Sequence, residues 1–168
     1  DSPEVAIDFM TMGKGIAGGF PFAAFAMTDE VASRLEIGDH GGTYCGNPLG
    51  CAASLAVVRY MREHRISDHV KDIGGWTMGR LQALQQRHPR DIIDVRGRGL
   101  LLALEFARQE TVEKINRLCF ERRLLLNIKH GTIIRIFPAL TITQKEMAEG
   151  LDVLGDAIDA AVRADAAR

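Results

Sequence analysis

Apolar and polar positions divide the chain into three stretches. In residues 1–48, apolar runs at 6–12 and 22–28 read as strands, with a short helix from Asp29 and two glycine-rich loops. The run at 6–12 is apolar enough for a buried strand. A long helix follows. Asn47 suits its N-cap and Pro48 its first helical position. Leu49, Ala52, Ala53, Ala56, Val57, Tyr60 and Met61 then recur at helical spacing. Its first turns are small residues, which predicts that its backbone approaches another element closely.

The third stretch, 66–168, mixes both periods. Ser67 is placed to cap a helix with the apolar line Val70, Ile73, Thr77, Leu81 and Leu84. Strands are predicted at 92–96 and 100–106, separated by Gly97 and Gly99, then a helix over 111–123. Two more strands, 124–128 and 132–137, flank a turn at Lys129, His130 and Gly131. Thr143 and Glu146 have capping-box spacing. They open a last helix with Met147, Leu151, Leu154 and Ile158 facing inward. Mixed helices and hairpin-like strands predict a small α+β domain.

Composition adds exclusions. A chain of 168 residues, 46% hydrophobic and 26% charged, has the balance of a globular domain with its own core. A net charge of −1 gives no field that would point to nucleic acid or an anionic membrane. The longest stretch without charge, 41–58, contains Thr43, Asn47, Pro48 and Ser54 and is too polar to span a bilayer. Three cysteines without CxxC spacing predict a reducing, cytoplasmic setting and no structural metal. Cys45 and Cys51 are expected to pack rather than react. A strand at 6–12 buried on both sides needs sheet neighbours, and so we expect further chain upstream.

The segment Gly13-Lys14-Gly15-Ile16-Ala17-Gly18-Gly19 formally matches GxGxxG. That fingerprint needs a helix starting at its glycines, so that the helix N-terminus faces a pyrophosphate. Here Phe20-Pro21 and a strand-like run follow. A P-loop fails as well, because Gly15 and not Ser or Thr follows the lysine. A lysine after a buried strand, between residues without side chains, can be reached by a flat ligand. An amine in apolar surroundings loses its proton more readily, as Schiff-base formation requires. Spacing alone leaves a solvated loop lysine equally open.

Four segments resemble one family. MGKGIAGGFPFAAFAMT is similar to the Schiff-base lysine segment of class III (omega-type) pyridoxal-phosphate aminotransferases, and GDHGGTYCGNPLGCAASLAV to that family's second signature. DVRGRGLLLALEF resembles its C-terminal strand pair, and IIRIFPALTIT the segment carrying a substrate-carboxylate arginine. The matches keep the family's order and cover nearly the whole chain. The acetylornithine/ornithine and 4-aminobutyrate branches look most similar.

The resemblance implies the pyridoxal-phosphate-dependent fold type I. Residues 1–48 would be the tail of the large α/β domain, 49–65 a connecting helix and 66–168 the small α+β domain. The implied cofactor is pyridoxal 5'-phosphate. Lys14 would carry it as a Schiff base and move the substrate proton. Thr43 would hydrogen-bond its phosphate, across a homodimer interface. Arg135, between Ile134 and Ile136 on a strand, would hold a substrate carboxylate bidentately. The implied reaction moves an amino group from a small-molecule donor to a 2-oxo acid, 2-oxoglutarate foremost. Two alternatives are a glutamate-semialdehyde-type aminomutase and a non-catalytic dimerisation fragment. The family's pyridinium aspartate, phosphate-binding turn and ring-stacking aromatic precede the lysine, and only thirteen residues do so here. The 168-residue chain alone is therefore expected to be inactive. Among weaker candidates, His40 reads as polar surface, and Arg96 and Arg98 as salt-bridge or turn residues.

Overall fold

Two different balances of local and tertiary order appear along the chain. The computed structural model describes residues 6–166 and divides after Arg65 into two compact units.

In the N-terminal unit, strand β1 (Phe9–Met12) pairs antiparallel with β2 (Ala24–Met27), Phe9 opposite Met27 and Met12 opposite Ala24. The link between them holds one 3-10 turn, Lys14–Ala17. It ends at Gly18, whose φ of 62° is left-handed and whose N–H donates to the Gly15 carbonyl. Helix α1 (Asp29–Ala32) starts at Thr28, whose hydroxyl accepts from the Val31 amide. Helix α2 (Pro48–Glu63) starts as its sequence predicts, with Asn47 Oδ1 accepting from the Gly50 amide at 2.7 Å. The predicted close approach is at Gly50, where a Cβ would lie 2.5 Å from the Phe22 ring.

The expectation of a buried strand at 6–12 is overturned. The strand is shorter, and Phe9 and Met10 are more than half exposed. A two-stranded ribbon has too few neighbours to cover both faces. Cys45 and Cys51, expected to pack, are exposed too. Among the described residues of this unit only Ala17 and Gly50 are buried.

The C-terminal unit comprises α3 (Ile66–Arg87), β3 (Ile92–Arg98), β4 (Leu101–Phe106), α4 (Gln109–Glu121), β5 (Asn127–Lys129), β6 (Ile133–Ile136) and α5 (Gln144–Ala166). The four strands form one antiparallel sheet in the order β3-β4-β6-β5. Alternation sorts its faces. Ile92, Leu102, Leu104, Phe106 and Ile134 point into a core closed by Ile73, Leu81 and Leu84 of α3, Val112, Ile115 and Cys119 of α4, and Met147, Leu151, Leu154 and Ile158 of α5. The other face carries Asp94, Arg96, Ala103, Glu105, Asn127 and Arg135 by register. This α+β arrangement agrees with the pattern read from the sequence.

Some boundaries move. Ser67 is not the cap, because α3 already begins at Ile66, after Arg65 at a φ of 49°. Gly97 lies inside β3, paired with Leu102, instead of ending the strand. Its φ is 138°, and a Cβ there would overlap the Leu101 carbonyl, so glycine lets the two strands close tightly. At Gly74 of α3 a Cβ would overlap the Gly99 carbonyl, so the helix packs by its backbone onto the β3–β4 turn.

Candidate functional site

Lys14 follows β1 directly and opens the 3-10 turn. Its φ of 52° is left-handed, a conformation that costs a non-glycine residue roughly 1–2 kcal/mol. Strain of this kind persists only where neighbouring structure imposes it. Here the turn's hydrogen bonds do so: the Ile16 amide donates to the Gly13 carbonyl and the Phe20 amide to the Ala17 carbonyl. The apolar setting anticipated for this lysine is not found in the chain, where Lys14 is exposed. A Cβ at Gly13 or Gly15 would meet nothing within 4 Å. The lysine backbone is therefore flanked by two glycines with open space beside their Cα atoms. The dinucleotide reading fails on structure as well, since strand β2 and not a helix follows Gly19.

Thr43 sits in a turn before α2, exposed, after Gly41 and Gly42. It lines a groove of about 800 Å³ together with Thr11, Met12, Phe25, His40 and Asn47. His40 is held by an edge contact with the Phe25 ring, centroids 4.8 Å apart. The groove wall reaches Met12, two residues short of Lys14, and does not include the lysine itself. Lys14 and Thr43 thus share a unit without sharing that groove.

Arg135 belongs to the C-terminal unit. It is half-buried on β6, with its guanidinium over the Phe137 ring at 4.6 Å from the centroid. Ile134 on the opposite face is fully buried, as strand alternation predicts. Arg135 lines a second cavity, of about 380 Å³, with Asn127, Phe137, Glu146 and leucines from 124–126. The Glu146 carboxylate is held below its ordinary pKa by hydrogen bonds from the Thr143 amide and hydroxyl. Arg96 follows its salt-bridge expectation. It bonds Asp94 at 2.5 Å and Glu105 at 2.6 Å, and these bonds raise its pKa.

Sequence reasoning missed Phe137 and Asn127. Phe137 was findable, because residues two apart on a strand share a face. Asn127 was not, because its place opposite Arg135 depends on the β5–β6 register.

Comparison with known proteins agrees with this architecture. The family description "Aminotransferase class-III" matches residues 1–158. The chain superposes on an ornithine aminotransferase of Plasmodium yoelii with a TM-score of 0.83 and 27% identity, over 94% of this chain and 42% of that one. For an acetylornithine aminotransferase of Elizabethkingia anophelis the TM-score is 0.82 at 27% identity, over 92% and 39%. These neighbours define the class of fold, that of the fold-type-I pyridoxal-phosphate enzymes. The chain belongs to the class III aminotransferase family. It is 35% identical to the acetylornithine aminotransferase of Clostridium acetobutylicum over 156 residues, 92% of this chain. It is 32% identical to the mitochondrial ornithine aminotransferase of Drosophila melanogaster, again over 92%. The chain spans 40% of the length of the Clostridium protein and 35% of the Drosophila one.

Proposed function

We propose that this chain supplies the cofactor lysine and a substrate-binding arginine of a transaminase dependent on pyridoxal 5'-phosphate. The observation that carries the proposal is Lys14, a strained, exposed lysine between two open glycines, in a member of this family. Its surroundings suit the cofactor. A flat ring needs room beside the amine, and a Cβ at either flanking glycine meets no atom within 4 Å.

When bound, the cofactor withdraws electrons from the substrate carbon that bears the amino group. This chain's residues would take three of the remaining roles. Lys14 Nζ would hold the cofactor and would serve as the group that moves the proton at that carbon. Thr43 Oγ1 donates to the phosphate from a turn where glycines leave backbone N–H groups accessible. Arg135 holds a substrate carboxylate, and no hydrogen bond or ion pair joins its guanidinium to a described residue. An unengaged arginine favours carboxylate-bearing partners, with 2-oxoglutarate as acceptor and an acetylornithine- or ornithine-like amine as donor. A homodimer is part of the proposal: Lys14 lies outside the groove that Thr43 lines, which suits a Thr43 that serves the partner's cofactor. Three free cysteines support a reducing compartment, either cytoplasm or the mitochondrial interior. Among the described residues no helix is long and apolar enough to cross a membrane.

Incubation with pyridoxal phosphate, borohydride reduction and peptide mapping test the lysine. The label is expected on the Lys14 peptide and absent from Lys14→Ala. Label spread evenly over other lysines would overturn the assignment. With amino donors and 2-oxoglutarate the 168-residue chain is expected to show no turnover, and measurable turnover would refute that part.

A further inference from the structure

Helix α3 is fixed to the sheet close to its start. Ile66 and Ile73 are buried, and the helix backbone packs on the β3–β4 turn at Gly74. His69 is carried on this anchored stretch. Residues 137–142, after β6, form no helix or strand, and Phe137, Ala139, Leu140 and Thr141 are exposed. Pro138 has no N–H to give. The Ile142 amide closes one turn on the Ala139 carbonyl at 3.0 Å. The Ile142 carbonyl in turn meets His69 Nε2 at 2.8 Å, across 73 positions of sequence. A carbonyl can only accept, so the imidazole carries its proton on Nε2 and donates. The contact is partly buried, where water competes less for both groups.

The same segment builds one wall of the 380 Å³ cavity, through Phe137, Pro138 and Ile142. Phe137 is also the residue whose ring lies against the Arg135 guanidinium. Strand pairing ends at Ile136, so that ring is carried one residue beyond the sheet. Ordering an irregular segment costs conformational entropy, and a bond to a fixed helix offsets it.

We propose that His69 is a positioning residue for the Arg135 site. Its Nε2–H ties 137–142 to α3, and the tether keeps the Phe137 ring against the guanidinium. The sheet holds one end of the segment and the helix holds the other. The consequence for a substrate rests on the reading of Arg135 as the carboxylate residue; the placement of the side chain does not.

The test is made on the 168-residue chain without ligand. NMR follows the Arg135 side-chain signals that the Phe137 ring shifts, and Phe137→Leu defines their unstacked positions. His69→Ala should remove about half or more of the ring shift. It should also speed exchange of the Ile142 amide roughly five- to tenfold, the equivalent of one neutral hydrogen bond. His69→Gln puts an amide N–H near the place of Nε2 and should keep both readings close to wild type. His69→Asn reaches only as far as Nδ1 and should behave like alanine. A general loss of packing would not separate Gln from Asn, and the urea transition of Trp76 checks that each variant is folded. In the wild-type chain the imidazole nitrogen shifts should place a proton on Nε2, a result that needs no variant. A bare Nε2, no ring shift in the wild type, an unchanged ring shift in His69→Ala, or equal behaviour of Gln and Asn would each overturn the inference. Glutarate titration addresses the other reading by itself: binding that survives Arg135→Gln removes the carboxylate role of Arg135 and leaves the tether standing.

Discussion

The two units put their apolar residues to opposite uses. In the C-terminal unit, side chains from three helices and one sheet face close on each other, and Leu81, Leu104, Ile115, Ile134 and Ile158 are fully buried. In the N-terminal unit, Phe9, Met10, Leu49, Leu55 and Tyr60 are all more than two-fifths exposed. Yet the N-terminal unit holds Lys14 and Thr43. What separates the regions is therefore closure and not local order. Both have capped helices and regular strand pairing, but only one encloses a core. The two residues proposed above to hold the cofactor lie on the unit that covers little of its own apolar surface.

Core truncation should break this contrast most sharply. Phe106 is 1% exposed on β4, and Phe106→Ala is expected to cost about 3–5 kcal/mol. Urea unfolding followed by Trp76, the only tryptophan and a residue of α3, would read it. Phe25 is 42% exposed, with one edge contact to His40. Phe25→Ala should cost about 1 kcal/mol or less, seen as faster amide exchange in β2. Equal costs at the two positions would show that the units do not differ in closure.

Thiol chemistry sharpens the same comparison. Cys119 of α4 is fully buried, and burial pushes its pKa up to about 11. Near pH 8 its thiolate fraction is then about one in a thousand, before access is considered. Cys45 and Cys51 are exposed. A thiol reagent should titrate two cysteines quickly in the native chain and the third only in denaturant. Three fast thiols would place Cys119 outside a closed core.

A smaller effect is expected at the α2 cap. Asn47→Ala removes the acceptor for the Gly50 amide and should cost about 1 kcal/mol. Exchange of the Gly50 amide reports it directly. The loss should be confined to the N-terminal unit, leaving the Trp76 transition unchanged.

The legibility of the sequence follows the same division. Helix α5 was readable in its start and its inward line, because its cap and the positions of Met147, Leu151, Leu154 and Ile158 are local patterns that the tertiary structure then buries. Strand β1 was readable in position but not in environment. Apolarity reports what a segment needs, and among the described residues β1 meets only β2. Gly97 was misplaced because a glycine that ends a strand and one that lets two strands close look alike in sequence. Lys14 showed its left-handed backbone only in three dimensions, and the pairing of Arg135 with Asn127 required the register of β5. The fold was thus legible where period and core coincide. The proposed site was legible mainly through family signatures.

The smallest predicted effect concerns the junction that opens α5. The Glu146 carboxylate accepts from the Thr143 amide at 2.8 Å and from its hydroxyl at 2.7 Å, and the Glu146 amide donates back to Thr143 Oγ1 at 3.2 Å. These bonds favour the charged carboxylate and lower its pKa. A carboxyl whose folded pKa lies below its unfolded one binds more protons when unfolded. Its contribution is therefore complete above the ordinary carboxylate pKa, and it is lost as pH falls through the lowered folded value. Acidification should fray the first turn of α5 before it disturbs the sheet. Glu146→Gln should remove that pH dependence while keeping most of the neutral-pH stability, since the amide oxygen still accepts from Thr143. Amide exchange at Met147 between neutral and acidic pH is the measurement. The contrast between units predicts that this loosening stays local, because Met147, Leu151 and Leu154 remain anchored among the buried apolar side chains of the core.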